Sequence, residues 1–144
     1  SDFEEQVGSA TAIFNAILVG IALISLAVGG LSIINTMAMS VAERTREIGI
    51  KRAIGGSRRR IVGELVTESA LIGFIGGVVG LILGALVAIL GNELGRESGF
   101  LLFLLTPATA VTAVVFSTTL GALAGLVPAL HAARLDPVTA LRYE

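Results

Sequence analysis

The sequence contains no cysteine and no tryptophan, and only one histidine, one tyrosine and three prolines among 144 residues. Without cysteine there is neither a disulfide framework nor a thiolate metal site, and one histidine gives no imidazole cluster for zinc and little from which to build a Ser-His-Asp triad. Most hydrolase and metalloenzyme readings are excluded. Charge is scarce too, at 15% of residues, where an ordinary soluble domain carries about 25%. The net charge of −1 lacks the basic excess with which a nucleic-acid-binding protein neutralises phosphates, so nucleic acid is not an expected partner. No G-x-x-x-x-G-K-[ST] phosphate loop is present, and the chain is expected to bind no cofactor of its own.

What the chain has in abundance is apolar surface. Apolar residues make up 54%, glycine adds 18 positions, and the mean hydropathy is +0.91. Three charge-free spans organise it: Val7 to Ala42, Ser69 to Asn92 and Gly99 to Leu130. The first would be about 54 Å long as a helix against a hydrocarbon core of ~30 Å, so one end must leave the bilayer. Gln6, Ser9, Thr11 and Asn15 mark its beginning as the protruding end. The acidic start Ser1-Asp-Phe-Glu-Glu5 argues against a cleavable signal peptide. In the third span, Thr106-Pro107 reads as a helix N-cap followed by proline at the first helical position. Phe100 to Leu105 would then be a short interfacial segment, and Pro128 should bend or end the last helix.

Seven of the ten bases, Arg44, Arg46, Lys51, Arg52, Arg58, Arg59 and Arg60, lie between the first and second spans. The positive-inside rule makes that loop cytoplasmic, with the N-terminus outside and the C-terminus inside. The expected fold is an all-α membrane protein with three transmembrane helices at about 10–41, 69–91 and 107–130. A cytoplasmic coupling segment at 43–60, an interfacial amphipathic helix at 58–68, an outer loop at 91–106 and a cytoplasmic tail at 131–144 complete it. An outside start without a signal sequence further suggests that an upstream helix and an extracytoplasmic domain are missing from this chain.

The cytoplasmic loop is the most informative stretch. Glu47 and Lys51 stand at i,i+4 in the favourable order, and a short helix ending at Gly55, with glycine as its cap, fits the composition. On a helical wheel Ile50 and Ile54 lie on one side, while Arg44, Ile48 and Lys51 cluster on nearly the opposite side. After Ser57, a plausible N-cap, Ile61, Val62, Leu65 and Val66 form an apolar stripe suited to the membrane surface. Glu64 and Glu68, on the polar stripe, are read as solvated carboxylates. The spacings Gly73-Gly77, Gly76-Gly80, Gly80-Gly84, Ser117-Gly121 and Gly121-Gly125 allow close helix approach, within one chain or across a dimer. Asn15 and Asn35 are read as interhelical hydrogen-bonding residues.

The run Glu43-Arg44-Thr45-Arg46-Glu47-Ile48-Gly49-Ile50-Lys51-Arg52-Ala53-Ile54-Gly55, the glycine-rich helix after it and the tail Ala132-Ala-Arg-Leu-Asp-Pro-Val-Thr-Ala-Leu141 together resemble the permease domain of the FtsX-like family, in particular MacB-type ABC transporters. The resemblance covers essentially the whole chain. It implies the last three of four transmembrane helices, and assigns Glu43 through Gly55 to a coupling helix that touches a separate or fused ABC ATP-binding subunit. ATP and Mg would belong to that partner. The resemblance also implies a permease that passes ATPase movement to an extracytoplasmic domain for export or extraction, in the inner membrane of a prokaryote. A division-type complex controlling a cell-wall hydrolase, and a non-transport scaffold docking a cytoplasmic protein, are the alternatives. A symmetric ATPase pair needs two docking loops, so a second copy of the permease is expected, paired through the first helix with Ser25, Gly29 and Ser32 as small contact positions.

Overall fold

The computed structural model describes residues 2–95 and 106–134. Four helices follow one another: α1 (Asp2–Glu43), α2 (Thr45–Ala53), α3 (Arg58–Gly95) and α4 (Pro107–Ala132). No strand occurs among the described residues. The helices α1, α3 and α4 are each long and apolar enough to cross a membrane, which makes this a multi-pass membrane protein by length and composition. The expected interfacial segment at 100–105 and the end of the tail, 135–144, lie outside the described residues.

The chain divides into two compact units, Ser1–Ser32 and Ile33–Glu144. In the first unit Ile13, Phe14, Ile17, Leu23 and Ile24 are all more than half exposed, as a lipid-facing or partner-facing helix requires. Asn15 is exposed here, and Asn35 is exposed in the second unit.

In the second unit, α3 and α4 pack along a seam of small residues. Its members, Ser69, Gly73 and Gly77 on α3 against Ser117, Gly121 and Gly125 on α4, recur every four residues and so stay on one face of each helix. A Cβ added at Gly121 would lie 2.6 Å from the Ser69 carbonyl oxygen and 2.9 Å from the Gly73 Cα. One added at Gly73 would meet the Ser117 carbonyl, and one at Gly125 would overlap the Ser69 hydroxyl. Hydrogen at these positions is what lets the two backbones touch. Ser69, fully buried at this contact, donates its hydroxyl to the Val66 carbonyl at 2.9 Å.

Beyond the seam, where α3 begins and α4 ends, a small core forms from Met37, Ile48, Ile61, Leu65, Ala129 and Ala132, backed by Ile33, Val41, Val62 and Val66. This core corrects one expectation. The stripe at 61–66 faces other helices rather than lying as a separate helix on the membrane surface. Nothing breaks the chain near residue 68, since no proline or cap interrupts it. A single helix therefore runs from Arg58 to Gly95, past the expected limit at 91.

The start of α4 agrees with its sequence. Thr106 is extended at φ −100°, its hydroxyl accepts from the Thr109 amide at 3.3 Å, and the Thr109 hydroxyl accepts from the Thr106 amide at 3.1 Å. Pro107 follows at the first helical position. Pro128 does not end α4, which continues to Ala132. Gly121, Ala124, Gly125, Pro128, Ala129 and Ala132 are all buried, and this packed stripe carries the helix across the missing backbone donor.

Candidate functional site

The segment joining α1 to α3 is folded back onto the helix bundle. Only Arg44 interrupts the helical path between α1 and α2, at φ −103° and ψ 13°. The Thr45 hydroxyl donates to the carbonyls of Val41 at 3.0 Å and Ala42 at 2.9 Å, tying the start of α2 to the end of α1. At its other end α2 stops at Ala53, two residues earlier than the sequence suggested. Ile54 is the C-cap and Gly55 follows in the left-handed region at φ 96°. The Gly55 amide donates to Arg52 at 3.1 Å and the Gly56 amide to Lys51 at 2.9 Å, the paired bonds of a Schellman turn. Both glycines are demanded by geometry: Gly55 by its φ, and Gly56 because a Cβ there would fall 2.5 Å from the Lys51 carbonyl oxygen.

The two faces of α2 have different fates. Arg44, Ile48 and Lys51 meet α3. Ile48 is buried with Gly49, the Arg44 guanidinium stands 3.6 Å from the Glu68 carboxylate, and Lys51 Nζ lies 2.9 Å from Glu64 and 3.1 Å from Glu47. The cleft between these residues and α3 holds about 30 Å³, room for about one water molecule. Arg52 reaches across to α4, where Nη1 donates to the Ala133 carbonyl at 3.2 Å. A cation there complements the negative end of the helix dipole. Glu64 and Glu68 thus pair with Lys51 and Arg44 while staying open to solvent, so they are solvated carboxylates that are also ion-paired. The missed signal was the complementarity of two stripes: Arg44, Ile48 and Lys51 on one helix against Glu68, Leu65 and Glu64 on the other.

The hydrogen bond from Lys51 to Glu64, helped by the one to Glu47, holds the ammonium pKa above its ordinary value of 10.5. A raised pKa means that the folded state favours the charged amine. Its contribution is fully present below the ordinary value and is lost as pH climbs through the higher folded one. Lys51→Met should therefore lower the melting temperature by a margin that is constant from neutral pH to about 9 and closes above the ordinary lysine range. Because Lys51 is solvent-accessible, the margin should also shrink as salt rises from about 0.1 M to about 1 M. A scan of melting temperature against pH and salt measures both.

The opposite face is open. Arg46, Glu47, Ala53 and Gly55 are exposed, as is Glu43 at the end of α1. Ile50 is 46% exposed and Ile54, just beyond the last helical residue, is 81% exposed. Next to Ile54, and lined also by the Lys51–Glu64 pair, Gly56, Arg60, Ile61 and Thr67, runs a groove of about 800 Å³ between α2 and α3. Among the described residues no cluster of His, Asp or Glu could hold a metal ion. The arrangement is a short charged helix fastened to α3 and the end of α4, with Ile50 and the C-cap Ile54 exposed.

The remaining small positions separate cleanly. Gly73, Gly77, Gly121 and Gly125 belong to the α3/α4 seam, whereas Gly29, Gly76, Gly80 and Gly84 have nothing within 4 Å of where a Cβ would stand. Ser25 and Ser32 are exposed on α1, and the Ser32 hydroxyl donates to the Val28 carbonyl at 2.9 Å.

Residues 19–137 match the family described as FtsX-like permease C-terminal. The chain belongs to this FtsX-like family. It is 41% identical over 138 residues to the ABC transporter permease YknZ of Bacillus subtilis, an alignment covering 96% of this chain and 34% of YknZ. It is 38% identical over 151 positions to the macrolide export ATP-binding/permease protein MacB of Syntrophobacter fumaroxidans, across 100% of this chain and 20% of that protein. MacB of Nitrobacter winogradskyi is 42% identical over 131 residues, covering 88% of this chain and 19% of its own length. The FtsX-like chain thus spans about a third or less of the curated relatives it matches.

Proposed function

We propose that this chain serves as the C-terminal membrane-spanning part of an ABC permease, with α2 as the element that docks on an ATP-binding subunit or domain. The observation that carries this reading is the division of α2 into a fastened face and an open one. Arg44, Ile48, Lys51 and Arg52 hold the helix to α3 and the end of α4, while Ile50 and Ile54 are left exposed, Ile54 beside the groove. A partner that pushes on the open face moves α3 and α4 with it, since the ion pairs, the Ile48 contact and the Arg52 hydrogen bond leave α2 little freedom of its own. The seven bases at 44–60 favour the cytoplasmic side of a prokaryotic inner membrane for this end of the bundle, by the positive-inside rule. ATP and Mg act on the partner, and the movement passes through the membrane helices toward an extracytoplasmic domain that drives export or extraction. A second copy of the permease pairs through α1, where Ser25, Gly29 and Ser32 are small, exposed positions.

A photo-crosslinking amino acid in place of Ile54 should capture the ATP-binding subunit in native membranes, whereas the same group in place of Leu83 should not. A Ser57→Cys variant should be protected from membrane-impermeant thiol reagents added outside. Labelling of that cysteine from outside, or capture of the ATPase at Leu83 alone, would overturn the reading.

A further inference from the structure

On the side of α3 turned away from α2, Arg58, Arg59 and Arg134 converge on one apolar groove. Along α3, Arg58, Val62 and Val66 succeed one another every four residues. At the end of α4, Arg134, Leu130 and Leu126 do the same in the opposite sense, because the two helices are antiparallel. Each stripe therefore starts with a guanidinium at the end of the bundle and continues as aliphatic side chains toward its membrane-spanning part. Between them lies a groove of about 490 Å³, some 12 Å long measured along α3 at about 1.5 Å per residue. Leu126 and Leu130 remain 38% and 45% exposed in it. No carboxylate of the described residues pairs with any of the three arginines, in contrast to Arg44 and Lys51, which are paired with acids of α3.

We propose that this groove is a binding site for one anionic phospholipid, with the phosphate among Arg58, Arg59 and Arg134 and an acyl chain laid along Val62, Val66, Leu126 and Leu130. The polarity of the groove matches that of the amphiphile end for end. Three guanidiniums offer paired N–H donors to phosphate oxygens, a geometry that planar arginine forms and lysine does not. A free phosphate would leave the aliphatic floor uncovered, and an apolar peptide would leave three cations without counter-charge. A basic loop attracts anionic lipid diffusely; the groove adds a fixed seat on the helix pair that α2 is fastened to. The site is separate from the open face of α2 and does not depend on the ATPase reading.

Native mass spectrometry of the purified protein, titrated with palmitoyl-oleoyl phosphatidylglycerol or with phosphatidylcholine of the same chains, tests it. The wild type should retain the anionic lipid about tenfold more tightly. The combined Arg58→Gln, Arg59→Gln and Arg134→Gln variant should fall to the level of phosphatidylcholine. Leu130→Trp leaves every charge in place and fills the floor, and should weaken retention of both lipids while ATPase copurification stays unchanged. It also decides the matter if loss of three bases impairs insertion. Equal retention of the two lipids by the wild type, an anionic preference that survives the triple substitution, or full retention in Leu130→Trp would each overturn the proposal.

Discussion

Ile54→Glu should reduce copurification of the ATP-binding subunit by at least an order of magnitude at equal membrane expression, and Ile50→Glu should do so to a lesser degree. Covering an isoleucine is worth roughly 1.5–3 kcal/mol, which alone corresponds to about a tenfold to hundredfold change in affinity. A carboxylate forced into the same contact adds a desolvation cost. Ile54 is the more exposed of the two, at 81% against 46%, so it has more area to give up to a partner. Neither side chain belongs to the buried core, and neither residue lies in α1, α3 or α4, so membrane insertion should survive both substitutions. Transport-dependent ATP hydrolysis measured beside copurification separates weakened docking from lost transmission. Unchanged values for both variants would remove α2 as the docking element.

Gly121→Leu should abolish the folded α3/α4 pair, and even Gly121→Ala should cost about 1–3 kcal/mol, the range for inserting atoms into a closed contact. The first atoms a new Cβ meets are backbone atoms of Ser69 and Gly73. No rotamer change relieves such a clash, and the helices must separate. Separation would also draw Ala129 and Ala132 away from Ile61 and Leu65, and Ala133 away from Arg52, so the loss spreads to the seat of α2. Gly80→Ala is the control, because nothing lies within 4 Å of its Cβ position and the change should stay within about 0.5 kcal/mol. Thermal unfolding in detergent, followed by helix signal and by monodispersity, distinguishes the two sites. Equal stability of Gly121→Ala and Gly80→Ala would contradict the seam.

The parts of this structure legible in the sequence are those governed by local chemistry. Thr106 and Pro107 announce the start of α4 because capping is decided within four residues. Gly55 announces the end of α2 because a left-handed turn excludes side chains. The contrast on α2 between buried Ile48 and exposed Ile50 also follows from the 3.6-residue period. What the sequence concealed depends on partners far away along the chain. Ile61, Val62, Leu65 and Val66 form a stripe that would suit a bilayer surface equally well, and only Met37, Ala129 and Ala132 decide that it is a core. The pairing of Glu64 and Glu68 is invisible until Lys51 and Arg44 are brought beside them. Gly73 and Gly80 are alike in sequence and differ only in what α4 presents to them.

The hydrogen bond from Arg52 to the Ala133 carbonyl joins residues 81 positions apart, and this imposes an order on biosynthesis. A ribosome adding about 5–20 residues per second needs on the order of ten seconds to make the acceptor after the donor has emerged. In that interval Ile48 and Met37 have no Ala129 or Ala132 to close over them, and α2 hangs from α1 and α3 alone. The fastening of α2 is then unfinished, and it is completed only when the end of α4 has reached Arg52.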